Sequence, residues 1–190
     1  MILKKTNLMK KIILFSVFIF LIASISNAQR KYFTKNGTIT FEASVPAFEE
    51  VKANNNKVTA IINTANGDIA ALALVKGFRF KIALMEEHFN ENYAESDKYP
   101  KAKFAGKIID YKNDKSNKIE KVIIKGSLTI HGVTKELEIP TELTQNEENI
   151  KLLSKFNVKA SDFNIEIPSV VSSKVSETIA IELNFNLLKR

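Results

Sequence analysis

Alternation of apolar and polar residues is the feature of this chain that most restricts its fold. The second half shows it four times, over residues 122–130, 133–143, 150–158 and 179–187. The apolar positions of the last stretch are Ile179, Ile181, Leu183, Phe185 and Leu187. A period of two places one face of a strand on an apolar interior and the other face in water, as in antiparallel sheets. Four such strands in one half of the chain argue against a parallel α/β arrangement.

The first half of the chain shows the same signal less regularly. Residues 38–45 alternate, and the short apolar runs 58–63 and 68–75 flank Thr64-Ala-Asn-Gly67, whose Asn-Gly pair indicates a hairpin. Residues 102–111 add another strand. The total of about eight strands with closely spaced turns predicts an all-β fold, either a barrel or a sandwich.

One segment departs from this pattern. Between Ala83 and Tyr93, apolar residues recur at helical spacing, with glutamates and asparagines on the opposite side. This spacing predicts one short amphipathic helix. The helix either plugs one end of the sheet structure or forms part of an opening through which a ligand enters.

The amino-terminal residues have the pattern of a secretory signal peptide. A lysine-rich head precedes an apolar run over residues 12–25, and Ser26-Asn-Ala28 places small residues before Gln29. About 14 apolar residues are too few for the roughly 20 that a membrane-spanning helix needs. We therefore expect a signal peptide at 1–28, one domain at 29–190, and a periplasmic or secreted location, with no integral membrane span.

Charge and cysteine content narrow the classes of function. The chain has 28 Lys and Arg, four of them in the leader, so residues 29–190 carry 24 against 21 Asp and Glu, a net charge of only +3. Such a weak balance does not favour nucleic acid as a partner. There are no cysteines, which excludes disulfides, thiol catalysis and cysteine-based metal sites.

No catalytic or metal-binding motif stands out. His88 and His131 are the only histidines, and no carboxylate cluster at ligand spacing accompanies them. We expect His131 to be architectural and His88 to be partly buried on the helix. The parity of Ser127 faces it away from Leu128 and Ile130, and no Gly-x-Ser-x-Gly motif is present. We therefore expect a protein that is not an enzyme and that uses no metal or cofactor.

Several motifs occur in the order typical of one known family. His88-Phe89 is followed by Lys98-Tyr-Pro-Lys-Ala-Lys-Phe104 and then by Gly126-Ser-Leu-Thr-Ile-His-Gly-Val-Thr134. This series resembles the YceI-like family. The opening strand, Tyr32 to Phe41, lacks the His-Ser pair of many members, so the resemblance implies no ligand contact through such a pair here.

The resemblance implies a fold, a cargo and a location. The implied fold is an eight-stranded antiparallel lipocalin-like β-barrel with a short α-helix. The implied function is non-covalent binding of a polyisoprenoid or similar long-chain lipid by an exported protein. The candidate ligand-lining residues are Phe78, Phe80, Leu128, Ile130, Leu137, Phe156, Ile181 and Phe185.

Two alternatives to lipid binding remain open from the sequence. The sequence also leaves open whether the protein forms a homodimer. The barrel could be filled by its own side chains and act as a stress-response or interaction module, since an inward stripe of Ile, Leu and Phe fits a filled or a hollow barrel equally well. The other alternative is an enzyme that acts on an isoprenoid lipid.

Overall fold

The structure, a computed structural model, describes residues 31–190; the predicted signal peptide lies outside the described residues. Eight long strands form one closed antiparallel barrel. The strands are β1 (Lys31–Ser44), β2 (Lys52–Asn63), β3 (Asp68–Leu74), the two-residue β4 (Arg79–Phe80), β5 (Lys101–Ile108), β6 (Ile119–Ile130), β7 (Val133–Gln145), β8 (Asn149–Lys159) and β9 (Val175–Lys189). The long strands follow the order β1-β9-β8-β7-β6-β5-β3-β2, and β2 pairs again with β1 to close the barrel. The predicted eight-stranded barrel is confirmed.

Irregular pairing explains why the first half alternates less cleanly. Tyr32 and Thr34 are buried in β1, and the next buried position is Gly37, three residues on. The opposing strand β2 shows the same spacing between the buried residues Asn55 and Val58. The β1–β2 register shifts at these points. Bulges of this kind reverse which parity faces inward and increase the local twist, which helps a sheet to close.

The two ends of the barrel differ in the length of their connections. Connections 64–67, 109–118 and 146–148 lie at the end that also holds Lys31 and Lys189. The opposite end carries the turn 131–132, the segment 45–51 and the two longest connections of the described chain, 75–100 and 160–174. We call these the closed end and the mouth. The two longest connections therefore lie at the mouth.

Side chains fill the half of the barrel nearest the closed end. Ile62, Ile108, Leu143, Ile150 and Leu187 are fully buried there. Polar groups seal the surface beyond them. The Tyr111 hydroxyl donates to Gln145 Oε1 at 2.7 Å, and the Tyr32 hydroxyl donates to the Glu147 carbonyl at 3.0 Å. This end of the barrel is a conventional packed core.

The predicted helix is present but is divided into two parts. Helix α1 covers Ala83–His88, and one π-helical turn covers Phe89–Tyr93. The wider turn changes the angular position of the residues after it, so the single helical face expected from the sequence is not continuous. Leu84 remains 57% exposed, and His88 is exposed rather than partly buried. The helix lies across the mouth, where only part of its surface meets the barrel.

Candidate functional site

The half of the barrel nearest the mouth encloses a cavity of about 580 Å³. This volume lies within the range of about 300–1,000 Å³ found for small-molecule sites. Inward residues of seven of the eight long strands, all but β2, line it, and parts of segments 45–51, 75–100 and 160–174 complete its rim. Because the other half of the barrel is filled, the cavity has one entrance, at the mouth.

The wall of the cavity is overwhelmingly apolar. Strand β3 contributes Ile69, Ala71 and Ala73, which alternate with outward Ala70 and Leu72. The small alanines on this strand leave space that larger side chains would fill. The covering segments add Phe48, Met85, Phe163, Ile165 and Val171. An interior of this chemistry suits an aliphatic ligand and offers few partners for a polar one.

Four phenylalanines form a cluster where the helix meets the barrel. Phe41 of β1 lies 5.2 Å from the rings of both Phe78 and Phe89, measured between ring centroids. Phe80 lies 5.7 Å from Phe41 and 5.3 Å from Phe89. All four rings line the cavity. Aromatic pairs at such separations stabilise beyond simple burial, so the cluster holds the π-helical turn against the wall.

A carboxylate fixes the start of the helical segment. Glu86 Oε1 accepts from Arg79 Nη1 at 2.8 Å, and its Oε2 accepts from the Phe80 backbone N–H at 3.1 Å. The Arg79 guanidinium also donates to the Lys76 carbonyl. Glu86 thereby ties helix α1 to the short strand β4, which pairs with β2. The helix is attached to the barrel by this side chain and by the phenylalanine cluster.

His131 joins three segments around the mouth. Its Nδ1 lies 3.1 Å from the Phe163 carbonyl oxygen, and since a carbonyl only accepts, Nδ1 donates. Its Nε2 lies 2.6 Å from Glu95 Oε2, and the Tyr99 ring packs edge-on at 4.5 Å between centroids. The histidine is thus occupied on both nitrogens. This arrangement agrees with the architectural role expected from the sequence.

One buried polar pair lies at the apolar wall. The other polar residues of the lining come from the mouth and its covering segments: Glu49, His88, Tyr93, His131, Lys159 and Lys174. Ser154 lines the cavity, and its hydroxyl lies 2.8 Å from the hydroxyl of Thr141 on β7. Thr141 in turn donates to the Ile139 carbonyl at 3.1 Å. Both residues are buried. Because each hydroxyl has a partner within the protein, the pair adds little polarity to the cavity.

The structure brings most of the sequence-predicted residues to this cavity. Seven of them line it: Phe78, Phe80, Leu128, Ile130, Phe156, Ile181 and Phe185. Leu137 packs against the core without lining the cavity. Ser127 faces outward, as its parity indicates, and bonds to the exposed Glu136.

Sequence reasoning missed the contributions of the covering segments. Phe48, Phe163 and Val171 line the cavity from connections whose residues carry no periodic signal. Glu95 was likewise not linked to His131, 36 positions away. Phe41 could have been found, because its strand alternates and its parity faces inward.

Other kinds of site are not evident in the described part of the chain. Within residues 31–190, no three His, Asp or Glu side chains are grouped so that they could hold a metal ion. The helices of that same part are all too short or too polar to cross a bilayer.

Comparison with known proteins identifies the same family that the sequence motifs resemble. A model of the YceI-like domain matches residues 23–187, which is most of the chain. No curated protein matches.

Solved structures share this barrel at low sequence identity. A polyisoprenoid binding domain from Saccharophagus degradans, described as implicated in plant cell wall breakdown, is 14% identical with a TM-score of 0.73, covering 85% of this chain and 99% of that one. BcnA from Burkholderia cenocepacia is 18% identical with a TM-score of 0.65, covering 78% and 95%. The YCEI protein of Campylobacter jejuni is 19% identical with a TM-score of 0.60, covering 77% and 89%. At such identities the likeness establishes the fold.

Proposed function

The chain belongs to the YceI-like family, and on that premise we propose that it is an exported protein that holds a polyisoprenoid or similar long-chain apolar lipid non-covalently inside its barrel. The observation that carries the proposal is the apolar cavity of about 580 Å³, which the packed core closes on the side opposite the mouth. The polyisoprenoid-binding domain of Saccharophagus degradans, which has the same fold, supports this class of ligand.

The energetics of such binding need no specific polar contact. Burial of apolar surface contributes roughly 25 cal/mol per Å², and the wall offers apolar contact along most of its length. The buried hydroxyl of Ser154, which lines the wall, is already paired with that of Thr141. We therefore expect the protein to discriminate weakly between lipid head groups and to gain most of its affinity from the hydrocarbon chain.

Export is part of the proposal and rests on the sequence of residues 1–28. If the leader is removed, N-terminal sequencing of protein from the periplasm or medium will begin at Gln29. A protein retained in the cytoplasm with its leader intact would contradict this part of the proposal.

Binding rather than catalysis is the function that the contacts of His131 favour. Its two ring nitrogens are engaged by Glu95 and by the Phe163 carbonyl, which leaves neither one directed at a ligand. Turnover of a bound isoprenoid by the purified protein, lost in His88 or His131 variants, would instead establish an enzyme.

The decisive experiment is native mass spectrometry of protein purified from its own periplasm. We expect a lipid adduct that organic extraction removes and that added polyprenol restores. The same spectra report whether the protein is a monomer or a homodimer. A protein that is always empty and that refuses added polyprenol would contradict the proposal and favour the module with no ligand.

Two neighbouring alanines of β3 provide a matched pair of variants. Ala71 lines the cavity, whereas Ala70 is exposed on the outer face. Ala71→Phe should occupy ligand space and reduce lipid uptake at least tenfold. Ala70→Phe adds the same side chain outside and should bind lipid like the wild type. Equal uptake by both variants would place the lipid outside this cavity.

A further inference from the structure

The bottom of the cavity is formed by a defined set of side chains. Seven residues both line the cavity and belong to the main buried core: Ala73 and Phe78, which lie near the mouth, and Ile69, Ile124, Ile139, Leu152 and Phe185, which lie farther from it. We call the last five the floor. Directly behind them lies the packed core that contains Ile62, Ile108 and Leu143, each no more than 2% exposed. A ligand that enters at the mouth therefore cannot pass through the barrel.

Phe185 is the largest floor residue, and its ring packs closely against the backbone of β1 at Gly37. A Cβ placed at Gly37 would lie 2.6 Å from Phe185 Cδ1 and 2.9 Å from its Cε1. The ring thus occupies the volume that any other residue at position 37 would take. Gly37 lies at the register shift of β1, so the local irregularity of that strand and the position of the ring are linked.

We propose that the floor, and Phe185 above all, is a chain-length gauge that sets how many isoprene units the protein buries. This inference rests on the proposed function and deepens it, because it concerns which lipids of one class are bound best. The physical basis is that each unit gains affinity only while its surface is removed from water. Once the terminal unit meets the floor, further units remain outside the mouth and gain nothing.

The gauge predicts that affinity rises with chain length up to one length and then stops rising. We call that length the break. Relative affinity should rise about tenfold or more with each added unit up to the capacity of the cavity, and should then stay level. Phe185→Ala deletes six carbon atoms, slightly more than the five of one isoprene unit. The break should therefore move to a chain longer by one unit in this variant.

The test is a competition among linear polyprenols that differ by single isoprene units, presented together in dilute aqueous buffer without detergent, so that water is the reference state, and read by native mass spectrometry. Wild type, Phe185→Ala and Phe156→Ala are compared. Phe156 also lines the cavity but lies four residues nearer the mouth than the floor residue Leu152 on the same strand. Phe156→Ala removes the same atoms from the side wall, so its break should stay at the wild-type length.

A second floor variant is included in case Phe185→Ala fails to fold. Phe185→Leu with Ile124→Val and Ile139→Val removes five carbon atoms spread over three positions, and smaller truncations are better tolerated. It should move the break by one unit as well.

The outcomes separate the two proposals. If wild type binds no polyprenol, the proposed function itself fails. If wild type binds but shows no break, or if neither floor variant moves it, the gauge is wrong while the lipid-binding function stands. An equal shift in Phe156→Ala would show that total volume, and not the floor, limits chain length, and would also overturn the gauge.

Discussion

His131 illustrates how one residue can serve both a turn and a long-range contact. It has a φ of 51° and precedes Gly132, whose φ is 75°, in the two-residue connection between β6 and β7. Positive φ at both positions matches the twist of a tight hairpin, although asparagine or glycine is the more usual choice. The imidazole explains the exception, since it reaches Glu95 and the Phe163 carbonyl.

Replacing this histidine tests the contact without disturbing the turn. Asn tolerates positive φ, so His131→Asn should keep the hairpin and lose both imidazole bonds. Glu95 is 41% exposed, which limits its contribution, and we expect a loss of about 1–2 kcal/mol in the free energy of unfolding, measured with urea. The matched control, His88→Asn at the exposed histidine, should change stability by less than about 0.5 kcal/mol. Equal stability of both variants would contradict the structural role of His131.

Tyr111 at the closed end predicts a pH dependence. Burial is the main cause that raises the pKa of Tyr111 from 10.0 to about 12. Between these values the unfolded chain releases the phenolic proton while the folded chain keeps it, so this contribution to stability is complete below about pH 10 and is lost as pH rises towards about 12.

Comparison with Tyr111→Phe isolates this residue. Since the group is only half-buried, we expect the stability of wild type relative to Tyr111→Phe to fall by about 1 kcal/mol between pH 8 and pH 11. Urea unfolding at several pH values measures the difference, and the titration of the lysines cancels between the two proteins. A difference that stays constant over this range would contradict the raised pKa.

At the scale of elements, the helical segment has few attachments to the barrel. Helix α1 has no buried residue, and Glu86 is its polar tie to Arg79 and to the Phe80 backbone. Elements with little buried surface open locally at low cost. The segment over the mouth is therefore the part of the site best suited to move when a ligand enters.

Glu86→Ala should loosen this segment selectively. We expect faster amide hydrogen exchange over residues 83–93 and faster lipid release, with a change of less than about 1 kcal/mol in global stability because the ion pair is partly exposed. Glu87→Ala, at the exposed neighbouring glutamate, is the control and should leave exchange unchanged. Faster exchange in the control, or none in Glu86→Ala, would refute the tie.

The strands show which elements could be predicted and why. The hairpin β6–β7 follows the sequence pattern closely, since its partners run in register from Ile119 and Thr144 to Ile130 and Val133. Strands β1 and β2 extend further than predicted, because bulges change the inward parity within each of them. A bulge depends on the pairing of two distant segments and is not visible in the period of either one.

At the scale of the whole molecule, the cavity makes stability depend on the ligand. A ligand that binds only the folded state at 100 times its Kd stabilises by about 2.7 kcal/mol. For a domain of this size that corresponds to a rise in Tm of roughly 5–10 °C. Extracted protein should lose this increment and regain it with polyprenol. The Ala71→Phe variant should show a rise no more than about half as large. An identical Tm for loaded and extracted wild type would contradict burial of the lipid in the barrel.

The sequence by itself determined the class of fold and the inward face of most strands. Alternation and turn residues are local properties, so residues such as Leu128, Phe156 and Ile181 could be assigned to the interior without coordinates. The family motifs added the expected cargo.

Only the tertiary structure decided that the interior is half filled and half hollow. A period of two gives the same inward stripe in either case, because it records direction and not the distance to the opposite wall. Phe185 and Leu187 have the same parity on β9, yet only Phe185 meets the cavity. That difference arises from the volumes contributed by seven other strands and by the segments over the mouth, and packing of that kind exists only once the barrel has closed.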